Sequence, residues 1–178
     1  MDAVFQDGGR LFLGAVPDLD ARAKIDQLTG ILARAHGFGG KTVRPDCLHV
    51  SLLFLGGPSD DLVRIAHEAA VTAAAQMPRF DVAFDRTVSF RGKPDKRPFV
   101  LIGDNGCRPL MSLRQRLVAA LGLNHLARRD FTPHVTLWYG EPVADEYPIE
   151  PIGWTVREFV LIHSLNGHTY LARWPLGV

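Results

Sequence analysis

The chain contains His49-Val50-Ser51-Leu52 and, later, His134-Val135-Thr136-Leu137. Each tetrapeptide is an imidazole, an apolar residue, a hydroxyl and a second apolar residue. Side chains on a strand alternate between faces. His49 and Ser51 therefore share one face, and Val50 and Leu52 the other; His134 and Thr136 are set against Val135 and Leu137 in the same way. Imidazole titrates at about 6.5, so one neutral and one protonated ring coexist near neutrality and can act as base and acid. Hydroxyls on the same face can donate to the non-bridging oxygens of a phosphate, where transition-state charge collects. This set suits water-driven opening of a phosphodiester, one histidine deprotonating the water and the other protonating the departing oxygen. The scheme requires no metal or cofactor. A single H-x-[ST]-L is short enough to arise by chance. Two copies, each behind an extended approach (Pro45-Asp46-Cys47-Leu48 and Phe131-Thr132-Pro133), carry the weight.

The flanking patterns supply elements that can present these residues. Arg10–Val16 reads as a strand stopped by Pro17. Asp18–His36 has helical spacing through Leu19, Ile25, Leu28 and Leu32 and is ended by glycines. Cys47–Leu55 is the first motif strand. Ser59 is an N-cap for an alanine-rich helix over Asp60–Gln76. Two β-like runs, Phe80–Phe90 and Pro98–Ile102, flank a basic loop, Arg91 to Arg97. A third helix is expected over Pro109–Leu121, and the second motif strand over Thr132–Tyr139. Val156–Ser164 and Thr169–Trp174 then form a hairpin about Asn166-Gly167. The order resembles an imperfect duplication with one motif strand per half, and paired strands favour α+β over a doubly wound parallel sheet.

Bulk properties narrow the function classes. A chain of 178 residues that is 47% hydrophobic builds one domain, or two closely packed lobes, with a real core. A formal net charge of +1 gives no global field toward polyanions, so anion binding must be local. No apolar run is long enough to span a bilayer, the first residues lack signal-peptide character, and Cys47 and Cys107 cannot build a disulfide framework. The expectation is a monomer in the cytoplasm.

The pair HVSL and HVTL, the opening RLFLGAV-P, the stretch PDCLHVSLLFLG, FTPHVTL and the ending YLARWPL resemble the two-histidine (2H) phosphoesterases. Within these they resemble the LigT-like RNA 2′,3′-cyclic phosphodiesterases, or 2′-5′ RNA ligase family, over nearly the whole chain. The resemblance implies an α+β, bilobal fold with pseudo-twofold duplication, in which antiparallel sheets backed by helices surround a central cleft. It implies metal-independent opening of a 2′,3′-cyclic phosphate to a 2′-phosphate, on RNA ends or small nucleotides. By position, His49 and His134 are the catalytic pair, and Ser51 and Thr136 hold phosphate oxygens. His134 is expected to activate water and His49 to protonate the 3′ oxygen. Alternatives are 2′-5′ RNA ligation, cleavage of 2′-5′ oligonucleotides, and a nucleotide- or RNA-binding module with little turnover.

The chain departs from the family where basic residues are common: Tyr139 stands five positions beyond the second histidine, and Leu53 just after the first motif. Candidates to replace those cations are Arg91, Lys93, Arg97, Arg128 and Arg129. Trp138 is the leading base-stacking candidate because alternation puts it on the His134 face, with Tyr139 opposite unless the strand bends. Phe54, Phe90 and Trp174 are weaker candidates, since aromatics in β-runs usually belong to the core. Cys47 reads as a small buried residue rather than a nucleophile. His36, His67, His125, His163 and His168 read as surface residues, and no spacing suggests a metal site.

Overall fold

The computed structural model describes residues 8–123 and 130–177. Eight strands, β1 (Arg10–Ala15), β2 (Val50–Gly56), β3 (Phe80–Ser89), β4 (Pro98–Ile102), β5 (His134–Tyr139), β6 (Tyr147–Val156), β7 (Glu158–Ser164) and β8 (His168–Pro175), accompany three helices, α1 (Leu19–Ala35), α2 (Asp60–Ala75) and α3 (Arg108–Ala120). The strands make one sheet in the order β6-β3-β4-β5-β2-β1-β7-β8, antiparallel at every pairing. The order reads as two four-stranded halves. They meet at β5 and β2 through a single residue pair, Val50 with Val135.

Local chemistry sets the helix starts. The Asp18 carboxylate accepts from the Ala21 amide at 2.8 Å, and the Ser59 hydroxyl from the Leu62 amide at 3.2 Å. All three helices contribute to one core: Ala21 and Ile25 of α1, Ala66, Ala70 and Ala73 of α2, and Leu110, Leu113 and Leu117 of α3. That core takes Val50, Leu52, Val135 and Leu137 from the motif strands. The helices thus cover the apolar face of β2 and β5, leaving the histidine–hydroxyl face uncovered by this core.

Strict alternation fails in both motif strands at the same point. Leu13 pairs with Leu53 and Gly14 with Ser51, so Leu52 is an extra residue in β2. Phe99 pairs with Trp138 and Val100 with Thr136, so Leu137 is an extra residue in β5. A bulge lets two successive residues face the same side. Leu52 and Leu53 are therefore both buried, as are Leu137 and Trp138, while Phe54 and Tyr139 return to the open face. This overturns the expectation that Trp138 lies beside the site: it is fully buried, stacked on Phe99 at 4.1 Å and Phe38 at 4.8 Å between ring centroids.

Two further corrections concern element boundaries. β6 is absent from the sequence reading because it carries Pro148, Pro151 and Gly153, which weaken a strand signal; as an edge strand it tolerates prolines. The first motif strand begins at Val50 rather than Cys47, since Pro45–Cys47 form a 3₁₀ turn. The hairpin at Asn166-Gly167 forms as expected, Ser164 pairing with His168. Arg128, Arg129 and His125 lie outside the described residues.

Replacing Trp138 by Ala is expected to cost about 3–5 kcal/mol of stability through the cavity left between two stacked rings. Denaturant unfolding measures this; a loss of only about 0.5 kcal/mol, typical of a surface change, would place the ring outside the core.

Candidate active site

The two motif histidines are held in the same way. The His49 ring bonds through Nδ1 to the carbonyl of Cys47, two residues back, at 2.8 Å. The His134 ring bonds through Nδ1 to the carbonyl of Thr132, also two residues back, at 2.8 Å. A carbonyl only accepts, so each Nδ1 carries hydrogen and, in the neutral ring, each Nε2 is a bare acceptor. The extended approaches before the motifs thus aim a backbone oxygen at each ring. Ser51 donates its hydroxyl to His49 Nε2 at 3.0 Å.

The antiparallel pairing of Val50 with Val135, continued one step either way, sets His49 across from Thr136 and Ser51 across from His134. A cavity of about 310 Å³ is lined by His49 and Ser51 from one strand and by Thr136 from the other. Phe54, Tyr139, Arg10 and His168 also face it. A cavity of about 400 Å³ elsewhere, lined by Gln76 and Arg116 among others, lacks acid–base groups. Phe90 packs edge-on against the His134 ring, centroids 5.0 Å apart.

Burial sets the proton affinities. The His49 pKa is pushed down to about 4, first by desolvation, against the upward pull of the Cys47 carbonyl; positive charge on His168 or His134 lowers it further. That last effect puts the two motif rings within electrostatic reach of each other. His134 is also lowered, by burial first, with the Thr132 carbonyl opposing. Both rings are therefore predominantly neutral at pH 7 in the free protein.

The predicted cations divide. Arg91 and Lys93 are exposed and do not line the cavity. Arg97 is engaged elsewhere, donating to the Gly92 carbonyl at 3.0 Å and to Glu141 at 2.8 Å. Instead Arg10, at the start of β1, reaches the cavity, and it makes no ion pair among the described residues. Sequence reading missed it because a strand's neighbours across a sheet are not visible in linear order. Leu53, at a position where the family commonly has a cation, is buried.

His168 was also missed. It follows the β7–β8 turn, and its ring lies 4.8 Å from His49 and 5.6 Å from Phe12. Burial lowers its pKa, with Asp46 opposing and Arg44 adding to the shift. Phe12 packs on the His49 ring at 4.8 Å, so the ring is held by two aromatic contacts and by its bond to the Cys47 carbonyl. Cys47 is half-exposed rather than buried, and its carbonyl, not its thiol, serves His49. Among the described residues no group of three or more His, Cys, Asp or Glu is placed to hold a metal ion, and no helix is long and apolar enough to cross a membrane.

Two H-x-[ST] segments thus carry backbone-tethered imidazoles, and His49, Ser51 and Thr136 line one cavity. Residues 16–168 match the model of the 2′-5′ RNA ligase superfamily, and the chain belongs to that family. The fold agrees with that of E. coli LigT in its apo form, 27% identical over 96% of this chain and 98% of that one, with a TM-score of 0.70. A structure described as a phosphoesterase aligns over 97% of this chain and 100% of its own at 25% identity and TM-score 0.73. TT0787 of Thermus thermophilus shares the fold at 23% identity, 94% and 97% coverage and TM-score 0.71. No curated protein matches the sequence. Family membership assigns a phosphoester-processing activity.

The depressed His49 pKa has a defined sign in stability. Unfolded, the ring takes up a proton near 6.5; folded, not until about 4. The unfolded state binds more protons between those values, so His49 makes stability fall as pH drops from about 6.5 towards 4. Urea unfolding of wild type and His49→Gln at pH 7 and pH 5 checks this: the loss on acidification is expected to be smaller in the variant. An equal loss would contradict the buried, neutral ring.

Proposed function

We propose that this protein hydrolyses the 2′,3′-cyclic phosphate of RNA ends or small nucleotides to the 2′-phosphate by histidine acid–base catalysis. The carrying observation is the matched pair of imidazoles, each tethered through Nδ1 to the carbonyl two residues back. LigT, to which the chain is similar, has been crystallised with phosphate, 3′-AMP and ATP, ligands that share a phosphoryl group. A nucleotide phosphate at the Ser51 and Thr136 hydroxyls fits that precedent.

In the step proposed, water oxygen bonds to phosphorus while the bond from phosphorus to the 3′ oxygen breaks. One neutral imidazole takes the proton from water, and one imidazolium gives a proton to the 3′ oxygen, so charge balances across the pair. Ser51 and Thr136 donate to the non-bridging oxygens. In the free site the Ser51 hydroxyl is committed to His49 Nε2; on turning to phosphate it frees that lone pair. His134 is assigned the proton from water and His49 the protonation of the 3′ oxygen, as expected from sequence; an anionic phosphate beside His49 raises that ring's affinity for a proton. A 5′-hydroxyl in place of water, with the step run from the same cyclic phosphate, gives 2′-5′ ligation through the same transition state.

Conversion of a nucleoside 2′,3′-cyclic phosphate to the 2′-monophosphate in the presence of chelator is the expected result. His49→Ala and His134→Ala are each expected to lower kcat by about 10²–10⁴. Release of 3′-monophosphate, dependence on added metal, or binding without turnover would overturn the reading. Thr136→Val keeps the shape but removes the donor; turnover is expected to fall by about 10² with folding retained, and an unchanged rate would assign Thr136 to packing.

The neutral rings predict proton linkage as well. Because catalysis needs one charged imidazole, binding of an anionic nucleotide at pH 7 is expected to take up a proton. Calorimetric titration in buffers of different ionisation enthalpy measures this; no uptake would contradict a protonated donor in the complex.

A further inference from the structure

Arg10, Ser164 and His168 stand in one row across three adjacent strands. Arg10 of β1 pairs with Ser164 of β7, and Ser164 pairs with His168 of β8. Directly paired residues of an antiparallel sheet project from the same face. All three line the cavity that holds His49, Ser51 and Thr136. Two strand spacings, roughly 10 Å, separate the backbones of Arg10 and His168. A guanidinium and an imidazole reaching inward from those positions flank a hydroxyl across a gap the size of one phosphate group.

The side chains of the row are uncommitted. Arg10 is exposed and makes no ion pair among the described residues. Ser164 makes no side-chain hydrogen bond there. The His168 ring is fixed by packing instead, against His49 at 4.8 Å and Phe12 at 5.6 Å between centroids. Its Nδ1 is shielded without a partner, which leaves Nε2 as the nitrogen able to meet a ligand. No carboxylate lines the cavity among the described residues. Asp46, the acid whose charge His168 feels, is held by Arg44 at 3.0 and 2.6 Å.

The row is set apart from the catalytic hydroxyls. Ser51 and Thr136 belong to β2 and β5, and the row occupies β1, β7 and β8. His49 bridges them through its contact with His168. A ligand with its reacting phosphate at Ser51 and Thr136, and a second phosphoryl group one ribose away, spans from one to the other. His168 also lines an adjoining cavity of about 310 Å³ with Arg44, Asn166 and Thr169, so the row opens outward beyond that second group.

We propose that Arg10, Ser164 and His168 form a second anion subsite, which takes the 5′ phosphoryl group of the nucleotide whose 2′,3′ end reacts. A terminal 5′ phosphate and the next phosphate of an RNA backbone present the same oxyanion there. The inference rests on the phosphodiester reading above and specifies its ligand: a nucleotide phosphorylated on both sides of the ribose.

The test is equilibrium titration of the full chain with adenosine 2′-phosphate and adenosine 2′,5′-bisphosphate, which differ only in the 5′ phosphoryl group. The wild type is expected to bind the bisphosphate roughly tenfold tighter or more, as hydrogen bonds to a charged group provide. That preference is expected to fall to within about twofold in Arg10→Gln and in His168→Gln, and to persist in Arg91→Gln, which removes an exposed cation outside the cavity. A 3′-5′ diadenylate ending in a 2′-phosphate separates the sources. Preference for it as well assigns the subsite to the RNA backbone, and preference for the bisphosphate alone assigns it to a terminal 5′ phosphate. Equal affinity of the wild type for the first two ligands, a preference unchanged in both row variants, or an equal loss in Arg91→Gln overturns the subsite. Hydrolysis of adenosine 2′,3′-cyclic phosphate is measured separately. A wild type that hydrolyses it yet binds the two ligands equally loses only the subsite. One that prefers the bisphosphate without hydrolysis keeps the subsite and loses the catalytic reading.

Discussion

The two halves of the sheet touch through one residue pair, Val50 with Val135, and the chemistry is arranged around it. Each is the second residue of its motif, so the contact centres the two tetrapeptides on each other. The pairing that turns the valines into the core necessarily turns His49, Ser51, His134 and Thr136 to the opposite face. A slip of one residue would send all four inward, because strand side chains repeat every second position. Three helices packed on the valine side make that slip costly, since Val50 and Val135 are both fully buried. Burial of the valines and the facing of the candidate site are thus fixed by the same pairing.

From that joint outward, backbone atoms do much of the electrostatic work. The carbonyls of Cys47 and Thr132 select the tautomer in which Nε2 is the acceptor nitrogen. Phe12 and Phe90 pack on the rings and contribute to their burial. Burial strips water from the imidazoles and lowers their affinity for protons. A site built this way rests with both motif rings predominantly neutral at pH 7. His168, 4.8 Å from His49, adds a third titratable ring whose positive charge opposes protonation of His49.

The placement of the histidines and hydroxyls was legible in the sequence because it depends on local alternation within four residues. So were the helices, whose periodicity and N-caps are encoded over short spans, and the hairpin at Asn166-Gly167. Alternation failed one residue past each motif, where a bulge at Leu52 or Leu137 resets the faces. No residue type marks those bulges; they are visible only against a partner strand. The exchange of Trp138 for Tyr139 at the cavity follows from that reset. Arg10 and His168 were illegible for a related reason: they join the site across β1 and β8, through a strand order that linear sequence does not specify. Strand β6 was hidden by its prolines, whose compatibility with a sheet depends on being outermost.

Those prolines have an effect at the sheet's perimeter. An eight-stranded open sheet has two outer rows of backbone groups through which a foreign strand can continue the ladder. Along β6, Pro148 and Pro151 carry no amide hydrogen to offer an incoming segment. β8 finishes in Pro175, shortening the opposite rim. The fold thereby guards itself against edge-to-edge polymerisation with the same residues that make its outermost strand hard to discern.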